Sequence, residues 1–253
     1  MIDIHIHILP GFDDGAADTQ TALDMAQIAA SGDVHTIIAT PHVIAGVSNY
    51  TAADIVSAVD ELNLLLSKKN IPLLVLAGAE YYLESDLPQR YAAGELLTLN
   101  NSQYLLVELP FAQMPVYTAQ VLYELQMLGI TPVIAHPERN SSFINRPQLL
   151  GELVDRGNLV QVTSGSLLGN YGQTVKKTAR YFLTQGWIHA VASDAHSVKK
   201  RPPQLLPVAR ELNKMGGSTC TKLLLSDNPL KIVEGKPVQS LPPIPAKKFF
   251  FRR

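Results

Sequence analysis

A single cysteine, Cys220, stands in a chain of 253 residues, so no disulfide can close within it and no thiolate cluster is available for structural zinc. Cys220 is expected to be an inert, packed residue. A surplus of charge is missing too: 21 Lys and Arg against 22 Asp and Glu leave a net charge of −1, where a nucleic-acid footprint needs a basic excess. No apolar run approaches the ~18 residues that would span a bilayer, and the N-terminus lacks the charged and apolar blocks of a signal peptide. These absences predict a cytoplasmic, soluble protein with no transmembrane segment and no nucleic-acid partner. What remains is 46% hydrophobic and 17% charged, enough for a substantial core. One domain over residues 1–253 is expected, with a Pro-rich C-terminal tail from about residue 236.

The stretch that organises the chain is its beginning. Ile2, Ile4, Ile6 and Ile8 alternate with Asp3, His5 and His7. Side chains along a strand point to opposite faces in turn, and β-branched residues favour the extended state. The segment therefore predicts a strand with an isoleucine face and two imidazoles stacked on the other. By itself the pair fits packed or solvent-facing histidines as well as metal ligands. The rest of the chain decides.

Strands are predicted at His35–Ala39, Pro72–Ala79, Tyr104–Val107, Thr131–Ala135, Leu159–Thr163 and Ile188–Ala192, alternating with helices at Thr19–Ala30, Thr51–Ser67, Val116–Leu128, Arg146–Asp155 and Thr174–Gln185. Thr19 or Thr21 is the expected cap of the first helix. His7, His42, Glu80, Glu108, His136 and Asp194 each fall at the C-terminal end of a predicted strand. Their spacing is roughly 30–40 residues, with a last gap about twice as long, against ~31 per strand–helix unit in an eight-fold barrel of 250 residues. The strand around Val162 fills the long gap and supplies no His or carboxylate. Seven parallel strands with helices outside result, and in such folds the strand C-termini converge on one active face.

Asp194 and His196 lie two apart, so an extended backbone would aim both one way, over the small side chains of Ala192 and Ala190. The collected set is His5, His7, Asp14, His42, Glu80, Glu108, His136, Asp194 and His196. Five imidazoles and four carboxylates exceed the needs of one ion and suit two or three divalent metals. Three such ions outweigh four carboxylates and a bridging hydroxide, which leaves a pocket suited to an anionic phosphoryl group. Clustered metals acidify a shared water and clamp phosphoryl oxygens, so phosphoester hydrolysis is the expected reaction. Arg139 and Arg201 follow ligand motifs closely, and a guanidinium fork matches phosphate oxygens. The competing role for Arg139 is a surface ion pair with Glu138 or Asp155.

Five ordered motifs carry a resemblance. They are His5-x-His7-x-Leu9-Pro10-x-x-Asp13-Asp14-Gly15, Ala39-Thr40-Pro41-His42, Gly129-x-x-Pro132-Val133-Ile134-Ala135-His136, its continuation Pro137-Glu138-Arg139, and Ser193-Asp194-Ala195-His196. From Met1 to about Gly235 the chain resembles the PHP (polymerase and histidinol phosphatase) phosphoesterases. Among them it is most similar to the manganese-dependent bacterial protein-tyrosine phosphatases of capsule and exopolysaccharide synthesis. The resemblance implies a distorted (β/α)7 TIM-like barrel and a trinuclear centre, Mn2+ first and Fe2+ or Zn2+ as alternatives. It places one ion on His5, His7, Glu80 and Asp194, a second on Glu80, Glu108 and His136, and a third on Asp14, His42 and His196. Asp14 is preferred to its neighbour Asp13 because the wider family places Asp directly before Gly. Arg139 and Arg201 match the family's phosphate-binding arginines. The implied substrate is phosphotyrosine on the C-terminal tail of a bacterial tyrosine kinase that controls polysaccharide chain length. A small-molecule phosphatase of the histidinol-phosphate type is the alternative, and a homo-oligomer is compatible with either.

His35 and His189 sit at the N-terminal ends of their strands and are expected to be structural. Loops at 45–50, 84–94 and 111–117 are expected to rim the pocket, where Tyr50, Tyr81, Tyr91, Phe111 or Tyr117 would stack on a phenol ring. The tail from Leu241, ending Lys247-Lys248-Phe249-Phe250-Phe251-Arg252-Arg253, is expected to fray; docking on a second subunit or touching an acidic membrane are its other readings.

Overall fold

In the computed structural model, which describes residues 1–244, strand β1 spans Ile2–Ile6. Ile4 and Ile6 are fully buried, but so are His5, His7 and Asp3. Both faces are covered, as parallel sheets require. Helix α1 (Thr19–Ser31) is capped by Asp18, whose carboxylate accepts the Thr21 N–H at 2.8 Å. The expected Thr19 or Thr21 cap is thus displaced by a residue that also brings negative charge to the positive end of the helix dipole.

The strands β2 (Thr36–Ala39) and β3 (His42–Val43) precede α2 (Ala52–Lys68), and β4 (Leu74–Ala77) and β5 (Glu80–Tyr82) precede α3 (Leu87–Ala92). Then come β6 (Tyr104–Glu108), α4 (Thr118–Met127), β7 (Thr131–Ala135), α5 (Ser141–Asn145), α6 (Gln148–Asp155) and β8 (Leu159–Thr163). The short α7 (Ser164–Leu168), α8 (Gln173–Gln185), β9 (Ala190–Ala192), α9 (Leu206–Lys222) and α10 (Asn228–Val233) complete the order. A wide π turn at Leu223–Asp227 leads straight from α9 into α10.

Every strand pairing is parallel, in two sheets of order β1-β2-β4 and β3-β5-β6-β7-β8-β9. Two strands expected to be continuous are broken. Pro41 has no N–H to give a ladder, and it separates β2 from β3. At Gly78, between β4 and β5, a Cβ would lie 2.7 Å from the Ile38 side chain, so the backbone passes where only glycine fits. His42 and Glu80 therefore open short second strands rather than ending the first ones. Hydrogen bonds continue past the breaks, from Thr40 N to the Ile6 carbonyl at 2.9 Å and from Glu80 N to the Pro41 carbonyl at 3.0 Å. Beyond β9 the chain returns to β1: Asp194 N donates to the His5 carbonyl and His7 N to the Ala195 carbonyl, each at 2.9 Å.

The start of the tail is docked rather than frayed. Leu241 is buried, and Ile244 N donates to the Thr184 carbonyl at 3.0 Å. The basic and aromatic stretch at residues 247–253 lies outside the described residues.

Candidate metal centre

All nine imidazoles and carboxylates singled out in the sequence meet at one end of the strands. His7 follows β1, Glu108 ends β6, His136 follows β7, and Asp194 and His196 follow β9. Glu80 lies at the centre. Its Oε2 is 3.2 Å from His5 Nε2, 3.4 Å from His7 Nε2 and 3.0 Å from His42 Nδ1. Its Oε1 is 2.9 Å from His136 Nε2, and Glu108 Oε1 stands 3.6 Å from the same nitrogen. At the outer edge Asp14 Oδ1 is 3.3 Å from His196 Nε2 and 3.6 Å from His42 Nε2.

Three overlapping groups have ligand atoms close enough to hold an ion: His5, His7 and Glu80; His42, Glu80 and Glu108; and His7, Asp14, His42 and His196. They differ from the partition the resemblance implies: Asp194 is absent from the first group, and His42 as well as His7 is shared. His42 stands beside Glu80 and Glu108, where His136 was expected.

The backs of the imidazoles are anchored. His5 Nδ1 faces Gln161 Oε1 at 2.8 Å, and His7 Nδ1 faces Asp13 Oδ2 at 2.6 Å. Both oxygens are acceptors, so both protons sit on Nδ1 and both Nε2 lone pairs turn inward. Those two Nε2 atoms are 3.1 Å apart. Converging lone pairs repel unless a cation lies between them, and Glu80 Oε2 is buried with no hydrogen-bond partner among the described residues. An inward set of nitrogen and oxygen lone pairs, without sulfur, fits divalent metal. Asp13 also accepts the N–H groups of His42 and Gly15, at 3.0 and 2.9 Å, so it braces the site while Asp14 faces its interior. A Cβ on Gly15 would fall 2.2 Å from the His7 carbonyl, which explains the Asp-Asp-Gly order sterically.

Protons compete for the same positions. Burial opposes charge on His5 and His7, but the carboxylates around them outweigh it and raise both imidazoles. Glu80 and Asp194 are held well below the carboxylate range, because the surrounding histidines overcome the cost of burial. Glu108 goes the other way: burial and then the Glu80 charge push it up to about 7.

Sequence parity misjudged the last motif. Asp194 has φ of 51° and His136 has φ of 31°, left-handed backbone that costs a non-glycine residue on the order of 1–3 kcal/mol. The turn at 194 brings the carboxylate back over the cluster, with Oδ1 at 3.6 Å from His5 and 3.5 Å from His7. Its other oxygen accepts from Arg139 at 2.8 Å and Arg201 at 2.6 Å. Arg139 therefore pairs inward and not with Glu138 or Asp155. Its guanidinium is held between the rings of Phe111 and Tyr171, at 4.5 and 4.8 Å.

Of the expected rim aromatics, Phe111 is half-exposed beside Arg139. Tyr81 is instead core, its hydroxyl accepting the Leu97 N–H at 2.7 Å. Tyr50 packs on Phe12 and donates to the His42 carbonyl, Tyr91 packs against the core, and Tyr117 lies 3.4 Å from the Leu83 carbonyl. His35 is exposed and pairs with Asp33, and His189 is buried on Val160 N–H; both stand outside the cluster. Sequence reasoning missed Gln161 and Tyr171. Gln161 shares the inward face of an uncharged strand with Thr163, whose hydroxyl lies 3.4 Å from Asp194 Oδ2, and that polar pair was a readable signal. Tyr171 lies on a loop with no pattern to find it.

The chain matches the family described as "Capsular polysaccharide synthesis, CpsB/CapC" over residues 1–234. It is 42% identical to tyrosine-protein phosphatase YwqE of Bacillus subtilis over 248 residues, 98% of this chain and 97% of that protein. It is 32% identical to tyrosine-protein phosphatase CpsB of Streptococcus pneumoniae, over 92% of this chain and 98% of that one. A solved chain from the crystal structures of YwqE and CpsB, "unique metal-dependent tyrosine phosphatases", superposes with a TM-score of 0.92 at 42% identity, covering 98% of this chain and all of that one. The lactonase Lmo2620 of Listeria monocytogenes shares the fold, with a TM-score of 0.61 at 13% identity over 93% and 95% of the two chains. An imidazole–carboxylate cluster with two arginines at its edge thus sits in a chain that belongs to the CpsB/CapC capsular polysaccharide synthesis family.

Proposed function

We propose that this protein is a metal-dependent protein-tyrosine phosphatase, a phosphoric monoester hydrolase. The supporting observation is the convergence of Arg139 and Arg201 on one oxygen of Asp194, at the edge of the nine-residue cluster. On this reading His5, His7, Asp14, His42, Glu80, Glu108, His136, Asp194 and His196 hold three ions, Mn2+ before Fe2+ or Zn2+. The two parallel sheets, joined from residues 194–195 back to β1, form one distorted (β/α)7 barrel and a single domain.

Bound divalent ions supply positive charge on phosphoryl oxygens and an acidified water. The chain's own groups do the rest. Gln161 and Asp13 keep the protons of His5 and His7 on Nδ1, so that both Nε2 atoms stay available. Arg139 and Arg201 take the outer phosphoryl oxygens, with Phe111 and Tyr171 fixing the plane of one fork. The half-exposed Phe111 ring offers a surface for the phenol. Phenol has a pKa near 10, so its departing oxygen needs less protonation than an alkoxide. The outer edge is open, with the Asp14 side chain 70% exposed, which suits a tyrosine carried on a protein. The relatives' names and the capsular family support phosphotyrosine on a bacterial tyrosine kinase tail as the substrate.

The test compares kcat/KM for a phosphotyrosyl peptide, a phosphoseryl peptide and histidinol phosphate with Mn2+ present. The phosphotyrosyl peptide should lead by at least about tenfold, or about 1.4 kcal/mol in transition-state binding. A lead for histidinol phosphate would overturn the substrate while leaving the metal chemistry in place.

A further inference from the structure

Beside the two arginines lies a cavity of about 120 Å3, lined by Ser164, Asn170, Tyr171, Ser193, Lys200 and Arg201 among others. A water needs only ~10–15 Å3 on this measure, so the space admits a side chain. Its polar lining joins two donor-only groups, an ammonium and a guanidinium, to hydroxyls and two amides that donate or accept. Among the described residues no carboxylate lines it, and Lys200 has no ion-pair partner there. Arg201 belongs to both places. One terminal nitrogen lies 2.6 Å from Asp194, while its Nε is buried with no hydrogen-bond partner among the described residues. Tyr171 likewise serves both, with its ring on Arg139 and its hydroxyl within reach of Arg201.

A buried donor without an acceptor is costly, and Lys200, with no ion pair among the described residues, stands beside an Arg201 that shares its one carboxylate, Asp194, with Arg139, which leaves this end of the cavity short of anions. The position, one arginine side chain away from the phosphoryl site, makes the ligand part of the same substrate. We infer that this cavity is a specificity subsite that takes the carboxylate of an aspartate or glutamate flanking the phosphotyrosine, with the Lys200 ammonium as its charged donor and the Arg201 guanidinium beside it. This rests on the phosphotyrosine reading above and narrows it to acidic phosphopeptides. Because Lys200 is exposed, its contribution should fall between that of a surface ion pair and a buried charged hydrogen bond.

The experiment uses Mn2+-loaded enzyme and peptides with glutamate, glutamine or lysine at each of the two positions on either side of phosphotyrosine. At one position the wild type should favour glutamate over glutamine about fivefold in kcat/KM, equivalent to about 1 kcal/mol. Lys200→Gln should bring that ratio to about one, and Lys200→Glu should turn the preference toward lysine. Ratios taken within each enzyme cancel any change in folding or metal loading. Equal rates on all peptides with the wild type, or a glutamate preference that survives in Lys200→Gln, would overturn the subsite. Failure to cleave any phosphotyrosyl peptide would remove the phosphatase reading and the subsite together, a result distinct from equal cleavage.

Discussion

At the scale of single residues, the division between groups that face the cluster and groups behind them sets what each substitution should do. Arg139 presents a planar fork held between two rings. Arg139→Ala should lower kcat/KM for a phosphotyrosyl peptide by about 10²–10³, the loss typical of one transition-state donor. Arg139→Lys keeps the charge but not the fork, and should recover only part of it. Steady-state kinetics decide, and a lysine variant as fast as wild type would refute the fork. Gln161 acts from behind, through His5 Nδ1 at 2.8 Å. Gln161→Leu should weaken metal binding about 10–100-fold, as loss of an outer-shell partner does. Titration of metal-stripped protein measures this, and unchanged affinity would show that His5 needs no such anchor.

At the scale of elements, His189 shows how a buried histidine couples a strand to pH. It sits just before β9 and accepts the Val160 N–H on β8 through Nδ1 at 3.1 Å. Burial pulls its imidazole down to about 4 from 6.5. The unfolded chain therefore binds a proton that the folded chain refuses between pH 6.5 and 4. Stability is lost as pH falls through that window, by up to about 3 kcal/mol. His189→Gln removes the titration, so the gap between wild type and variant in urea midpoint should shift against wild type on going from pH 7 to pH 4.5. A constant gap would show that His189 carries no such linkage.

The same scale shows what could be read in advance. Alternating isoleucine and histidine gave β1 and its two imidazoles away, because a period of two survives any packing. The strand ends at Glu108 and His136 were legible as well, whereas His42 and Glu80 open short strands of their own. The splits between β2 and β3 and between β4 and β5 were not, since they depend on a proline's missing donor and on Ile38 crowding Gly78 from another strand. Nor was the left-handed turn at Asp194, which reverses the parity that an extended chain would keep. Tyr171 was invisible because its partners, Arg139 and Arg201, reach it only through the fold.

At the scale of the whole molecule, the cluster is a charge problem that metal ions, imidazole protons and two arginines compete to solve. Metal that binds the folded chain alone stabilises it by mass action, about 2.7 kcal/mol at a hundredfold excess over Kd. Chelation should therefore lower the melting temperature by roughly 5–10 °C, and Mn2+ should restore it. Calorimetric scans before and after EDTA give the answer, and equal melting points would mean that the cluster holds no stabilising ion. Protons held by His5 and His7, and by Glu108 with its value of about 7, must leave as metal enters. Affinity should consequently fall as pH drops below 7, with protons released on binding.

The bond from Ser193 N to Asp3 joins residues 190 positions apart. At ~5–20 residues per second, a ribosome extrudes the first strand roughly 10–40 s before the segment at 193–196 that closes over it, although its neighbour β2 follows early. The full cage therefore waits for Asp194 and His196, although two of its three groups are complete once Glu108 has been made.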